Sequence, residues 1–187
     1  MNLVSLNDVF LWQLAGLYSV EQQLVEALPD VARAADAEAL RDVFEHHLDE
    51  TRGHVAGLET IFGQLEVATP YETCEAMAGL IAEGSRVGQA TGDPTAKDAA
   101  LIAVAQRIEH YEIAGYSTAR ALADELSLDE AASILDRTLG EETNADRKLA
   151  HLATGGLFGA GINRETRESS WQPPAEVHPI SQDVSSL

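Results

Sequence analysis

The most restrictive feature of this sequence is that four segments with helical apolar spacing each carry acidic or histidine residues within the apolar stripe. Steps of three and four residues place the members of a stripe on one helix face, so these polar side chains should point into the core of a helical bundle. The stripes are Phe10, Leu14, Leu17, Glu21, Leu24 and Leu28; Leu40, Val43, His47, Glu50, His54, Leu58 and Ile61; Leu101, Ala105, Ile108, Glu112, Gly115 and Ala119; and Leu135, Glu142, Asp146, Leu149 and Ala153. An unpaired charge in such a core is very unfavourable. We therefore expect a cation among these side chains, and a pair of metal ions is the best candidate.

The periodicity predicts an all-α fold with five helices and no strand. The first two helices, over about 5–35 and 36–62, are separated by a very short connection, as are the last two, over about 95–126 and 127–153. Each pair therefore forms an antiparallel hairpin. A less regular helix over about 71–91 crosses between the hairpins. This layout is that of a ferritin-like four-helix bundle with an additional crossover helix.

The length of 187 residues fits one domain with a sizeable core. We expect the helical bundle domain to occupy residues 1–154. The helical pattern is lost after Gly155, where Gly, Pro, Ser, Glu and Arg residues are interspersed. This composition predicts a flexible C-terminal tail over residues 155–187.

The chain is strongly acidic, with 31 Asp and Glu residues against 12 Lys and Arg residues and a formal net charge of -19. Such a surface repels nucleic acids and anionic membranes, so neither is an expected partner. Cys74 is the single cysteine, which excludes an intrachain disulfide and favours a reducing cytoplasm. No signal peptide or transmembrane segment is recognised. We expect a cytoplasmic protein.

The types and spacing of the acidic and histidine residues favour a site for two metal ions. Glu50 and His54 lie four residues apart, as do Glu142 and Asp146, so both members of each pair can reach one centre. Carboxylates bridge cations, and imidazole favours iron, manganese or zinc over magnesium. The predicted ligands are Glu21, Glu50, His54, Glu112, Glu142 and Asp146, with Glu109, His47 and Glu141 as additional candidates.

Several roles within this ligand set stay open. His54 is either a ligand or a hydrogen-bond donor to a ligand, and His47 is either such a donor or a core residue. Glu141 competes with Glu142: the apolar stripe favours Glu142, whereas an internal repeat of 91 positions, which relates Glu50 to Glu141, favours Glu141. Bundles that hold two metals usually carry a Glu-x-x-His motif on two helices. This chain has a spacing of four instead, with Asp146 on the last helix where a histidine is usual, which predicts an oxygen-rich site.

The segments that carry these residues resemble the YciE/YciF-like ferritin-like family, DUF892. The resemblance extends in order over about Leu6–Ala153. The segments are Leu17–Leu24, His47–His54, Cys74–Ile81, Asp98–Ile102, Glu109–Tyr116 and Leu139–Glu142, the last followed by Asp146 and Leu149. It implies a rubrerythrin- or ferritin-like bundle, often dimeric, with a di-metal site, in bacterial or archaeal proteins linked to the stress response.

The leading hypothesis is a stress-response protein that binds two metal ions, iron first and manganese second, and that oxidises iron or reduces peroxide or dioxygen. Glu21 and Glu112 are the expected terminal ligands and Glu50 and Glu142 the bridging ones. The alternative is a non-enzymatic, stress-induced helical dimer without a functional metal, whose core acids are satisfied by His, Arg and water. Metal storage within a protein shell is a third hypothesis. A homodimer is expected in the first two cases.

Overall fold

Six helices make up most of the part of the chain that the computed structural model describes, which is residues 3–69, 72–155 and 161–165. The helices are α1 (Leu6–Ala34), α2 (Glu38–Gln64), α3 (Glu75–Gly88), α4 (Pro94–Glu125), α5 (Asp129–Thr154) and α6 (Ile162–Glu165). No strand occurs within these described ranges, so the prediction of an all-α fold is confirmed.

Helices α1, α2, α4 and α5 form a four-helix bundle. α1 packs on α2 and α4 on α5 as hairpins with short connections, and α1 and α2 also contact α4 and α5, respectively. α3 lies in the long connection between the hairpins and packs on α1 and α4. The predicted bundle with an additional crossover helix is therefore confirmed.

One buried carboxylate ties the two hairpins together. Asp98 on α4 is only 2% exposed. Its carboxylate accepts hydrogen bonds from the backbone N–H groups of Asp36, at 2.9 Å, and Ala37, at 2.7 Å. These groups lie at the start of α2, where backbone N–H groups have no partner within the helix. Asp98 therefore caps α2 from another helix, a role that the local sequence of α2 does not reveal.

The segment predicted as a tail, residues 155–187, is described only in part. Within it, α6 packs on α4 and α5, and Ile162 is buried in the bundle core. This short helix is an addition to the five that the sequence predicts. Residues 156–160 and 166–187 lie outside the described residues, so the flexible tail there stays a prediction.

The bundle core consists of two apolar clusters that are separated along the helix axes. The first, which we call the crossover cluster, includes Leu24, Leu40, Met77, Leu101 and Leu149. The second, which we call the far cluster, includes Phe10, Leu14, Leu58, Ala119 and Leu135. On all four bundle helices, the acidic and histidine residues of the stripes lie at or near the boundary between the two clusters. The fold thus surrounds a polar layer with apolar side chains on both sides.

Candidate metal centre

Six ionisable side chains from four helices are buried together in this polar layer. None is more than 3% exposed, and three carboxylates have no exposed surface at all. The six are Glu21 on α1, His47 and His54 on α2, Glu109 and Glu112 on α4, and Glu142 on α5. All six were predicted from the sequence as ligands or as additional candidates. Their burial is unusual, because carboxylates are rarely buried unless they are paired.

Three of these residues, Glu21, His54 and Glu142, form what we call the His54 group, whose ligand atoms lie within 4.8 Å of one another. His54 Nδ1 is 2.9 Å from Glu142 Oε1 and 3.5 Å from Glu21 Oε2. The other ring nitrogen, Nε2, is 2.7 Å from Glu141 Oε2. The Tyr116 hydroxyl donates a hydrogen bond to Glu21 Oε1. Every member of the His54 group therefore has a close polar neighbour.

The His47 group consists of His47, Glu109, Glu112 and Glu142, and its ligand atoms also lie within 4.8 Å of one another. Its contacts are longer: His47 Nε2 is 3.5 Å from Glu109 Oε1 and 3.9 Å from Glu142 Oε2. Glu142 belongs to both groups. Its Oε1 lies near His54 and its Oε2 near His47. One carboxylate thus connects the two groups, as a bridging ligand between two cations does.

The carboxylates of the His47 group lack the partners that buried acids normally have. Among the described residues, neither oxygen of Glu112 has a hydrogen-bond partner, and Glu109 Oε2 has none either. In the same part of the chain, no lysine or arginine forms an ion pair with any of the six buried groups. Buried charges without partners are strongly destabilising. The residues present therefore fit metal cations, which would satisfy these oxygens.

Burial and the proximity of other carboxylates raise the pKa values of acids in the polar layer. Burial raises the pKa of Glu112 well above its ordinary value, and the nearby charges of Glu142, Glu21 and Glu109 raise it further. Burial likewise raises the pKa of Glu109 well above its ordinary value, although His47 acts in the opposite direction. These acids ionise with difficulty unless a positive charge lies close by.

The two buried histidines are the positive charges that the chain itself supplies. Burial lowers the pKa of His54, but the carboxylates of Glu142 and Glu21 outweigh this effect and raise it to about 11. Burial also lowers the pKa of His47, and Glu50 and Glu109 more than offset it, giving a pKa of about 9. Protonated histidines thus neutralise part of the cluster when metal is absent, and a metal ion would replace their protons.

Glu50 lies at the edge of the polar layer, outside both groups. Its side chain is 17% exposed, and its Oε1 is 3.1 Å from His46 Nε2 and 3.9 Å from Lys148 Nζ. Its Oε2 is buried and lies 3.8 Å from His47 Nδ1. The His47 ring holds the pKa of Glu50 below its ordinary value despite partial burial. Glu50 therefore connects the solvent-exposed surface of α2 with the buried cluster.

Glu141 and Asp146 also lie outside the two groups. The Glu141 side chain is 38% exposed and reaches the cluster only through His54. Asp146 Oδ1 accepts a hydrogen bond of 3.0 Å from Gln106 and lies 3.4 Å from His110 Nε2 on α4. Of the two rivals on α5, Glu142 is the one that the structure brings into both groups.

Tyr116 is the member of the site that the sequence interpretation missed. It is fully buried, and its hydroxyl donates a hydrogen bond to Glu21. Burial is the main cause that raises the pKa of Tyr116 well above its ordinary value, and the nearby Glu21 carboxylate raises it further. Its ring also packs edge-on against His54, with centroids 6.2 Å apart. A signal was available, because Tyr116 follows Glu112 by four residues and so lies on the same face of α4.

Comparisons with known proteins agree with this fold. The family described as "Domain of unknown function (DUF892)" matches residues 5–165. The chain is 42% identical to Escherichia coli protein YciF over 154 residues, which cover 82% of this chain and 93% of the relative. The crystal structure of that E. coli protein, described as a stress protein, superposes with a TM-score of 0.78 at 40% identity, covering 80% of this chain and 95% of that one.

Two further solved structures extend the comparison. The Rhodopseudomonas palustris protein YcfI has a TM-score of 0.76 and 37% identity, covering 80% of this chain and 95% of that chain. A two-domain Anabaena variabilis protein, with DJ-1/ThiJ/PfpI-like and ferritin-like domains, has a TM-score of 0.53 at 14% identity. This match covers 94% of the present chain and 41% of that protein. It supports the ferritin-like fold alone.

Within the described residues, no helix combines the length and the apolar character that crossing a membrane requires.

Proposed function

We infer that this chain, which belongs to the DUF892 family, binds two metal ions in the polar layer of a ferritin-like bundle. The observation that carries this proposal is that Glu142 is shared between two buried groups, each with one histidine and at least one further carboxylate. A shared carboxylate between two such groups is the arrangement that a pair of cations needs. The two oxygens of Glu112 support the same proposal, since neither has a hydrogen-bond partner within the described residues.

The proposed ligands divide between the two groups. Glu21 and His54 would hold one ion, His47, Glu109 and Glu112 would hold the other, and Glu142 would contact both. We retain Glu50 as a proposed additional ligand, because its buried Oε2 lies beside the His47 group. Each ion would have mainly oxygen ligands with a single imidazole, a donor set that suits iron or manganese.

When bound, two iron or manganese ions would supply redox chemistry toward dioxygen or peroxide. The chain's own residues define the conditions for that chemistry. The crossover cluster and the far cluster exclude water from both sides of the polar layer. Tyr116 fixes one oxygen of Glu21, and Glu141 orients the His54 ring. Such supporting hydrogen bonds determine how ligands are directed toward a metal ion.

The biological setting is proposed by analogy with the E. coli relative, which is described as a stress protein. We propose that this chain also acts in the stress response, in the cytoplasm and as a homodimer. These three statements rest on the family relationship, and the metal site does not depend on them.

A second candidate function is a non-enzymatic helical protein whose polar layer is purely structural. One observation favours it: His47 and His54 both lie within ion-pair distance of buried carboxylates. Protonated histidines could therefore neutralise part of the layer without metal. They leave the oxygens of Glu112 without a partner within the described chain, however, which is why we prefer the metal-binding function.

Elemental analysis of the purified full-length protein tests this choice. The protein is analysed as isolated, after chelation, and after anaerobic reconstitution with Fe(II) or Mn(II). The metal-binding function predicts two ions per chain after reconstitution, and a melting temperature that falls on chelation because bound ligands stabilise the folded state. Less than one ion per chain after reconstitution, with an unchanged melting temperature, would support the structural alternative.

A further inference from the structure

An apolar cavity lies directly beside the proposed metal centre, between α1, α2, α3 and α4. Its volume is about 40 Å³, and on this scale about 10–15 Å³ is enough to hold one water molecule. Eleven of its thirteen lining residues are apolar or glycine. The two polar ones are His47 and Glu109, which are both members of the His47 group. The cavity is thus large enough for a small molecule and borders the buried ligands.

A second, wider space adjoins this cavity. It is a cleft of about 420 Å³ between α1 and α3. The cleft and the cavity share four lining residues, Ala27, Val31, Ile81 and Gly84. These residues therefore form the wall between the two spaces. Two of the four, Ala27 and Gly84, have a minimal side chain or none, so a larger residue at either position would add atoms to the wall.

The lining of the cavity selects among the molecules that could reach the His47 group from this side. A hydrated ion or hydrogen peroxide would have to give up hydrogen bonds to water and would find polar partners only at His47 and Glu109. Loss of such hydrogen bonds in an apolar environment is unfavourable. Dioxygen is small, uncharged and apolar, so it has no hydrogen bonds to lose.

We propose that the cleft and the cavity between α1 and α3 form an access route and holding site for dioxygen beside the His47 group. The inference rests on the proposed function, and it names dioxygen rather than peroxide as the molecule that the site admits from this side. Polar molecules would instead approach at the partly exposed edge of the layer that Glu50 occupies. There Glu50 contacts the partly exposed side chains of His46 and Lys148.

Xenon binding to the metal-free, full-length protein tests the cavity without any need for metal. Xenon occupies dry apolar cavities, so a xenon-pressurised crystal or ¹²⁹Xe NMR should detect it beside His47. Gly84→Leu should abolish this binding. A Cβ at Gly84 would lie 3.4 Å from Val104 Cγ1, an ordinary contact, and the rest of the side chain would occupy the wall. Gly16→Leu is the matched control, because this helical glycine on α1 lies outside both spaces and its Cβ would meet nothing within 4 Å.

The oxidation rate of the Fe(II)-loaded protein tests the choice of dioxygen. Gly84→Leu should slow oxidation by dioxygen by roughly tenfold or more while oxidation by hydrogen peroxide and the metal content stay close to those of the wild type. Gly16→Leu should change neither rate. Ala27→Leu closes the wall from α1 and replaces one good helix former by another, so it provides a second test if Gly84→Leu does not fold.

The possible outcomes distinguish a failure of the proposed access route from a failure of the proposed metal centre. A protein that binds two metal ions but no xenon, or in which both wall variants leave the dioxygen rate unchanged, overturns the access route alone. Equal slowing with both oxidants overturns the selectivity for dioxygen. A protein that binds xenon but no metal overturns the proposed function, and with it the role of the cavity.

Discussion

The His54 group and the His47 group share Glu142 and the same polar layer, yet they differ in how far the protein satisfies them by itself. In the His54 group, Tyr116 donates to Glu21, and His54 lies 2.9 Å from Glu142. In the His47 group, the shortest contact between His47 and a carboxylate of the group is 3.5 Å, and Glu112 has no hydrogen-bond partner within the described chain. The His54 group thus has shorter internal contacts than the His47 group, although Glu21 Oε2, His54 Nδ1 and both oxygens of Glu142 also lack a hydrogen-bond partner among the described residues.

This difference predicts which of the two groups binds a metal ion first. The His47 group has three carboxylates and one histidine, and the His54 group has two carboxylates and one histidine. The group with more negative charge and fewer internal partners gains more from a cation, because it loses fewer existing contacts. We therefore expect the first metal ion to bind in the His47 group.

The largest expected effect comes from Glu142→Gln, which removes the carboxylate that the two groups share. The amide has nearly the same shape but cannot contribute negative charge to both ions. We expect metal content after reconstitution to fall from two ions per chain to fewer than one. Elemental analysis of the folded variant measures this, and Glu45→Gln, at an exposed position on α2, is the control. Two tightly bound ions in Glu142→Gln would show that the groups are independent of Glu142.

The next largest effect is a change in the stability of the metal-free protein, and it should have opposite signs for variants of the two groups. Glu112→Gln removes an unpartnered buried acid, so we expect the metal-free protein to gain about 1–2 kcal/mol, or about 2–8 °C in melting temperature, while one metal ion is lost. Glu21→Gln should also remove one ion, but it should destabilise the metal-free protein because the protonated His54 ring loses the carboxylate charge of Glu21, while the amide oxygen still accepts from Tyr116. Thermal unfolding after chelation checks both. Equal shifts in the two variants would contradict the contrast between the groups.

A smaller and more local effect is expected for Tyr116→Phe. The ring stays in the far cluster, but Glu21 loses its hydrogen-bond donor. Supporting partners of this kind typically contribute about 10–100-fold to metal affinity, so one of the two binding steps in a calorimetric titration should weaken by that factor. The step assigned to the His47 group should be unchanged. Equal weakening of both steps would place Tyr116 in a general structural role.

The sequence predicts the burial of most acidic and histidine residues of this site because a helix repeats about every 3.6 residues, so a polar residue within an apolar stripe faces the core. It is less informative about residues at the margin of a stripe. On α2 the buried positions include Phe44, His47, Thr51, His54 and Leu58. Glu50 is one residue, or about 100° of rotation, from Thr51, and it lies at the edge of the polar layer instead of within it.

The periodicity of the sequence could not predict features that arise from packing between helices. The carboxylate of Asp98 caps α2 although 61 residues separate it from Ala37 along the chain. The cavity beside His47 likewise depends on how α1, α3 and α4 fit together. Neither position has a distinctive local pattern, because the partners come from distant segments. The resemblance of the motifs indicated the family, but contacts of this kind required the folded structure.

The smallest expected effect is that of Asp146→Asn, which tests whether the His47 group includes a further carboxylate. Asp146 is a predicted ligand, but in the structure its Oδ1 accepts from Gln106 and lies near His110, and the residue belongs to neither group, although its charge contributes to raising the pKa of Glu109. Asparagine keeps an oxygen acceptor for Gln106, so we expect two metal ions per chain and a stability change within about 0.5 kcal/mol, as for most surface substitutions. Elemental analysis and thermal unfolding check the two values. Loss of one ion would mean that Asp146 moves into the His47 group when metal binds, and the group would then have one carboxylate more than its metal-free form indicates.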